Sequence, residues 1–155
     1  MSSPSAFRYA LRLLGYRSRS RAEIAEKLSR KDFSKEDAEA ALQKLERLGY
    51  INDPALADAL ARQAREARKL GRKGAMGYLL KRGIPAELAL AALAGYDESE
   101  GALAVARKKI QGMSRAEPAV RKRRLYGALA RRGYSAETIR KIFSSTINMK
   151  EEDAE

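Results

Sequence analysis

A pattern that returns after about fifty residues constrains this chain more than any other feature of its sequence. Four apolar positions separated by five, five and four residues occur three times, and the copies start 51 and 50 residues apart. The positions are Leu28, Phe33, Ala38 and Leu42, then Leu79, Ile84, Ala89 and Leu93, then Leu129, Tyr134, Ile139 and Phe143. A basic pair follows the first leucine of every copy. Repetition at this period is typical of tandem supersecondary units.

Residues that favour helix ends divide the chain into short helices. Ser20 with Glu23, and Asp97 with Glu100, have the spacing of a capping box, and Asp53 before Pro54 predicts an N-cap. Glycine–apolar pairs predict helix C-termini at Gly15-Tyr16, Gly49-Tyr50, Gly83-Ile84, Gly95-Tyr96 and Gly133-Tyr134. We interpret these tyrosines as residues that close the core rather than as residues that stack on bases.

The apolar period is three to four throughout, so the sequence predicts an all-α protein. We expect helices near residues 5–14, 20–30, 35–48, 54–70, 72–82, 86–94, 98–111, 118–132 and 136–146. They form three tandem three-helix repeats, at 5–51, 53–95 and 97–147, in an elongated, curved array, and 148–155 is a disordered acidic tail. The weakest assignment is the helix with Gly71, Gly74 and Gly77, where either the helix begins late or the glycines permit close packing.

Residue types that are missing from the chain exclude several chemistries. The sequence has no Cys and no His, which excludes disulfides, thiol catalysis, and metal or base sites that use those side chains. The glycines at 71–77 lack the spacing of a phosphate loop, and Asp97, Glu98 and Glu100 suit a helix N-terminus better than a divalent ion. We expect no enzyme activity, no cofactor and no metal. No apolar run or leader is apparent, so we expect a cytoplasmic protein.

The net charge of +12 favours a polyanionic partner, which could be nucleic acid, a nucleoprotein or an anionic membrane surface. The candidate contact residues are Arg17, Arg19, Arg21, Arg68, Lys69, Arg72, Lys73, Arg121, Lys122, Arg123, Arg124 and the repeated pairs Arg30-Lys31, Lys81-Arg82 and Arg131-Arg132. Arg107, Lys108 and Lys109 form another basic cluster outside this set. The alternative for the pairs is a solvated helix end, where cations complement the helix dipole.

Positions seven residues before each aligned leucine are also basic, at Arg21, Arg72 and Lys122. The repeated pairs begin nine residues later, which is half a turn away on a helix. The two sets therefore cannot share one face of a straight helix. Arginine-rich clusters suit phosphates and protein carboxylates equally well, so charge does not separate these two partners.

Several blocks of residues resemble the RecX family, which regulates the RecA recombinase of bacteria. The blocks include residues 10–14, 19–28, 45–53, 69–71, 80–84 and 129–134, and the resemblance extends over residues 6–145. The most specific stretch runs from Leu48 to Asp53. Departures from the family pattern are Leu56-Ala57, where an aromatic often precedes the alanine, Asn52 in place of an aspartate, and the glycine-rich stretch 71–77.

The resemblance implies an all-helical protein of tandem three-helix repeats that binds RecA filaments on single-stranded DNA. It also implies that such binding restrains filament growth, ATP hydrolysis, strand exchange and co-protease activity, with no catalytic residues. We expect a monomer that bridges RecA subunits and contacts DNA. The alternative is a DNA-binding module, sequence-independent or helix-turn-helix-like, that acts without RecA; an RNA-binding protein is a weaker one.

Overall fold

The computed structural model describes the backbone of residues 5–152 and the side chains of residues 5–146, and this part of the chain contains nine helices and no strand. The helices are α1 Ala6–Tyr16, α2 Arg21–Arg30, α3 Lys35–Arg47, α4 Asp53–Glu66, α5 Arg72–Lys81, α6 Ala86–Ala92, α7 Ser99–Gln111, α8 Pro118–Arg131 and α9 Ala136–Glu152. The predicted all-α fold is confirmed. No helix of this part is both long and apolar enough to cross a membrane.

The repeated apolar positions form the cores. Leu28, Leu79 and Leu129 are each fully buried, and most of the residues aligned with them are buried. Tertiary contacts divide the chain into two compact units. Unit 1 contains residues 1–60 and 79–92, and unit 2 contains residues 61–78 and 93–155. Helices α4 and α5 contribute to both units, so the middle group of helices is divided between them, and the predicted boundaries of the three repeats stay a prediction.

The same turn follows α2, α5 and α8. Its left-handed residue lies one position before the second apolar position of each copy. Its amide hydrogen bonds run from Phe33 to Leu28, from Ile84 to Leu79 and from Tyr134 to Leu129, at 3.2, 3.1 and 3.3 Å. The residue before the donor is left-handed in each copy: Asp32 at φ 62°, Gly83 at 81° and Gly133 at 81°. This is the Schellman ending. The repeated pattern therefore encodes a turn as well as a core.

Two of the glycine stops are wrong, because Gly15 and Gly95 do not have a left-handed backbone. Helix α1 continues to Tyr16 and leaves in an extended conformation at Arg17, so Tyr16 is 79% exposed. Gly49 does form a Schellman turn, but Ile51 takes the buried place, and Tyr50 is 55% exposed. Neither tyrosine closes a core.

The helix starts are partly as predicted. The capping box of Ser20 and Glu23 is present. The predicted box of Asp97 and Glu100 is wrong, because Asp97 accepts from the Ser99 amide in a local turn and Glu98 is the N-cap of α7. At α4 the side chain of Asn52, not Asp53, caps the Ala55 amide.

Helix lengths differ from the expectation at α4 and α9. Helix α4 ends four residues early, at Glu66, because Lys69 adopts a left-handed conformation with φ 52° and turns the chain. Helix α9 continues to Glu152, so that part of the expected disordered tail is helical; Met, Lys and Glu are good helix formers. Residues 153–155 of that tail lie outside the described residues.

Two of the glycines near the start of α5 permit close packing. A Cβ atom at Gly71 would overlap the Tyr134 amide, and one at Gly74 would overlap the Arg132 carbonyl. Gly77, also within α5, has no atom near its Cβ position. The turn between α8 and α9 therefore lies directly against the backbone of α5, and only the first two glycines are needed for this contact.

These glycines give a matched pair of substitutions. Gly77→Ala is expected to raise the free energy of unfolding by about 1 kcal/mol, because alanine favours the helix and meets nothing. Gly74→Ala gains the same propensity but is expected to lower stability, because Arg132 must move. Urea unfolding followed by circular dichroism measures both, and a stabilising Gly74→Ala would contradict the close contact.

Candidate functional site

The basic residues that precede and begin α2 are engaged within unit 1. Arg17 forms an ion pair with Glu23 at 3.1 Å, and the Arg19 Nε donates to the Leu13 carbonyl at 3.3 Å. Arg21 forms ion pairs with Glu39, at 2.5 Å, and with Glu46. Burial acts to lower the pKa of Arg21, but these carboxylates outweigh burial and raise it. These three arginines hold α2 against its surroundings.

In the second and third copies, the second residue of the basic pair also makes contacts within the protein. The Arg82 guanidinium donates to the Ser18 carbonyl at 3.2 Å, and Arg132 donates to the Arg68 carbonyl at 2.6 Å. Both carbonyls lie just before the second helix of the preceding copy. In the first copy, Lys31 instead lies over the Tyr9 ring, with its Nζ 5.8 Å from the ring centre. The solvated-end alternative therefore fits poorly for Arg82 and Arg132, which cap loops.

The first members of the pairs are exposed, and their neighbours differ. Arg30 forms an i, i+4 ion pair with Glu26 at 2.6 Å. At the position of Glu26, the other two copies have Gly77 and Gly127, which cannot pair with Lys81 or Arg131. An exposed i, i+4 pair contributes little stability, but it neutralises the cation locally. The charges of Lys81 and Arg131 are therefore not offset by a carboxylate four residues earlier.

Glu23 and Glu98 are the carboxylates that organise these contacts. Burial acts to raise the pKa of Glu23, but the Ser20 amide, Arg82 and Arg17 outweigh it and lower the pKa. Glu98 accepts the Arg72 amide at 2.7 Å in unit 2, and its other oxygen accepts from Ser135 and Thr138. One side chain thus satisfies the starts of α5 and α9.

Two tyrosine hydroxyls complete the loop between α4 and α5. Tyr96 donates to the Leu70 carbonyl at 2.7 Å, and Tyr134 donates to the Lys69 carbonyl at 2.6 Å. Burial raises the pKa of both tyrosines to about 12, so both keep their protons near neutral pH. Residues 68–70 are thereby fixed by three side chains that follow α6 in the sequence, those of Tyr96, Arg132 and Tyr134.

Cationic side chains are concentrated in a cleft of unit 2, which has a volume of about 980 Å³. Seven cationic side chains line it: Arg68, Lys69, Lys108, Lys109, Arg124, Arg131 and Arg132. Among the described residues that line the cleft, none is acidic. Their fields add in a concave surface with little opposing charge, which favours an anionic partner. We refer to this surface as the basic cleft.

Helical spacing explains which residues reach the basic cleft. On α8, Arg124, Ala128 and Arg131 are separated by four and three residues, so they lie on one face. On α7, Ala104 and Lys108 are four residues apart, and Gly112, the C-cap of α7, follows four residues later. Lys108 and Lys109 lie outside the candidate set drawn from the sequence, although their cluster is evident there. Lys108 and Lys109 each follow a small apolar residue, Ala104 or Val105, by four positions. This spacing is the sequence signal that could have placed them in the candidate set.

The other candidates of unit 2 do not line the basic cleft. Arg72 and Lys73 line another cavity of unit 2, together with Glu98 and Tyr96. Arg121 is half-buried and lines a cavity of about 70 Å³ with Lys122, and Arg123 is exposed. Lys122 and Arg131 therefore contact different cavities, in agreement with the half-turn that separates them.

No group of three or more acidic side chains in the described part of the chain is placed to hold a metal ion. The arrangement consists of helix caps, loop contacts and a cation-lined cleft. Such an arrangement is suited to binding anions through many weak contacts, whose affinity would fall as salt concentration rises.

These features define an all-helical protein of three-helix domains with a cation-lined cleft. Known proteins have similar sequences. The model for the first three-helix domain of RecX matches residues 6–45, and that for the third matches residues 96–143. The regulatory protein RecX of Chlorobaculum tepidum is 35% identical over 136 residues, which cover 88% of this chain and 84% of that protein. That of Pelodictyon phaeoclathratiforme is 32% identical over 138 residues, which cover 89% and 86%.

Two solved RecX structures have the same fold. The crystal structure of RecX from Lactobacillus salivarius superposes with a TM-score of 0.80 at 26% identity, over 90% of this chain and 93% of that one. A second RecX crystal structure, at 24% identity, shares the fold with a TM-score of 0.81 over 90% of this chain and 71% of that one. The chain belongs to the RecX family of regulatory proteins.

The role of Glu98 has a pH dependence with a defined sign. Burial acts to raise its pKa, but hydrogen bonds from Thr138, the Arg72 amide and Ser135 outweigh burial and lower the pKa below its ordinary value of 4.5. A lowered folded-state pKa contributes stability that is present above about pH 4.5 and is lost as pH falls through the folded-state value. Glu98→Gln is expected to reduce stability at pH 7 by about 1 kcal/mol.

The control is Glu100→Gln, which removes the same charge from an exposed residue in the first turn of the same helix. Urea unfolding at several pH values should show the difference between wild type and Glu98→Gln shrinking below pH 4.5. Equal effects of the two substitutions at pH 7 would contradict the role of Glu98 at the two helix starts.

The two members of a basic pair should respond differently to truncation. Arg132→Ala removes the hydrogen bond to the Arg68 carbonyl and is expected to lower stability by about 1 kcal/mol. Arg131→Ala removes an exposed cation and is expected to change stability by less than about 0.5 kcal/mol. Thermal and urea unfolding of the two variants provide the comparison; equal losses would mean that the pair acts as one structural unit.

Proposed function

We propose that this protein regulates the RecA recombinase by binding RecA filaments on single-stranded DNA. Bound to a filament, it limits filament extension, ATP hydrolysis, strand exchange and co-protease activity. The observation that carries this proposal is membership of the RecX family over nearly the whole chain. The work takes place in the cytoplasm, where RecA and its DNA are found, and a monomer is sufficient for it.

The basic cleft supplies the main contact in this proposal. Arg68, Lys69, Arg124 and Arg131 from the sequence-based set lie there, with Lys108 and Lys109. The other exposed cations, such as Lys81 and Arg123, add weaker contacts elsewhere. Several weak contacts on one chain act together when they reach neighbouring subunits of a filament, because the second contact forms at high effective concentration.

The rival function is a DNA-binding module that acts without RecA, and its support is the same cation-lined cleft. The two functions differ in stoichiometry. A filament regulator acts at protein concentrations too low to coat the DNA, whereas a competitor for DNA acts only when the DNA is saturated. DNA-dependent ATP hydrolysis by RecA, titrated with this protein alongside its binding to free single-stranded DNA, separates them.

A double substitution in the basic cleft tests which residues make the proposed contact. Lys108→Ala with Lys109→Ala is expected to raise the concentration for half-maximal inhibition of RecA by about tenfold, from two lost charge contacts. Inhibition by the wild type should also weaken as salt is raised. The control is Arg140→Ala with Lys141→Ala, which removes the same formal charge from exposed positions on α9 outside the cleft lining. Lys141 is paired with Glu137 at 3.2 Å, so the control matches the cleft variant in net charge.

The result expected for the control is inhibition within about twofold of wild type, because nonspecific charge alone contributes little. If the two double variants lose inhibition equally, net charge and not the cleft mediates binding. If the wild type inhibits only when it saturates the DNA, the DNA-binding module becomes the better description.

A further inference from the structure

The floor of the basic cleft is apolar, in contrast to its rim. Leu70 and Val105 are half-buried there, and Met113 and Ala128 are buried at 6% and 9% exposure. Ala104 is exposed beside them. Phosphate groups present charge and no apolar face, so a surface that contacts phosphates alone gains nothing from such a floor. The floor indicates a partner with an apolar side of its own.

The side chains of the lining do not suit single-stranded nucleic acid. Sites for single strands combine backbone cations with aromatic rings on which the bases stack. Among the described residues that line the cleft, none is aromatic. Tyr126, an exposed tyrosine on α8, is not part of the lining. Tyr78 lies beneath the Arg68 guanidinium, 4.3 Å from the ring centre, so that ring is covered by a protein cation.

The rim is ordered and comes from three stretches of chain. Arg68 and Lys69 follow α4, Lys108 and Lys109 lie on α7, and the remaining cations lie on α8 and in the turn after it. The stretch at 68–70 is fixed by Arg132, Tyr96 and Tyr134. Cations on several sides of an apolar floor complement a segment that carries carboxylates on both sides of an apolar stripe.

We infer that the basic cleft binds a helical segment of a protein partner, with an apolar stripe on the floor and flanking carboxylates on the cationic rim. An amphipathic helix in a groove presents its apolar residues at i, i+3 or i+4 and i+7, and methionine adapts to such faces. The inference deepens the proposed function and rests on it, since it assigns this cleft to the protein component of the filament. DNA contacts then lie outside the cleft.

The experiment uses the full chain and three fluorescent ligands. The first is a synthetic helical peptide of about 15 residues, with leucines at i, i+4, i+7 and i+11 and glutamates beside them. The second has the same composition in an order without the apolar stripe. The third is a dT oligonucleotide of about 15 nucleotides. Anisotropy titrations are expected to give about tenfold tighter binding of the first peptide than of the second.

The variants separate the floor from the rim. Ala104→Gln leaves the charge unchanged and introduces another good helix former, but its larger side chain covers the floor. It is expected to weaken binding of the amphipathic peptide by about tenfold without changing oligonucleotide binding. The Lys108, Lys109 double variant is expected to weaken the binding of both peptides. The Arg140, Lys141 double variant is the control and should leave peptide binding unchanged.

Two results would overturn the inference. Equal binding of the two peptides, together with no effect of Ala104→Gln, would mean that the cleft responds to charge alone. Loss of oligonucleotide binding in the Lys108, Lys109 variant, without peptide binding by the wild type, would make the cleft a phosphate site. Neither result bears on whether the wild type inhibits RecA at substoichiometric levels, so failure of the inference and failure of the proposed function are distinguishable.

Discussion

The structure depends on one contact, which is made twice: a left-handed turn lies against the start of the second helix of the preceding copy. In unit 1 the Ser20 hydroxyl donates to the Arg82 carbonyl at 2.6 Å, and in unit 2 the Gly71 amide donates to the Arg132 carbonyl at 2.9 Å. The donors occupy equivalent positions of the pattern. A side chain at Gly83 or Gly133 would collide with the neighbouring segment, so the glycine provides both the turn and the fit.

This contact explains why the chain divides as it does. A group of three short helices has little apolar surface to bury, and each is marginal alone. The turn after α5 and helix α6 belong to unit 1, whereas the first part of α5 belongs to unit 2 with the third group. The middle group of helices is therefore divided between the two units rather than assigned to one of them.

Local features could be predicted from the sequence, and long-range ones could not. Most helix ends agree with the prediction because caps and Schellman turns depend on residues five or fewer apart, as at Ser20 and Gly133. The errors at Gly15 and Gly95 arise because a glycine permits a left-handed backbone without requiring it. Charge patterns also could not reveal that Arg82 is engaged by the Ser18 carbonyl, 64 residues away in sequence. Such contacts depend on which turn meets which helix.

The repeated basic pair shows how one pattern yields both a structural and a binding residue. The turn directs the second member toward the preceding loop, as for Arg132 and the Arg68 carbonyl, while the first member lies 100° away on the helix. Whether that first cation is available then depends on the residue four positions earlier. Glu26 neutralises Arg30, whereas Gly127 leaves Arg131 with its charge at the edge of the basic cleft. The cleft thus arises where the repeat lacks its acidic neighbour and α7 adds two lysines.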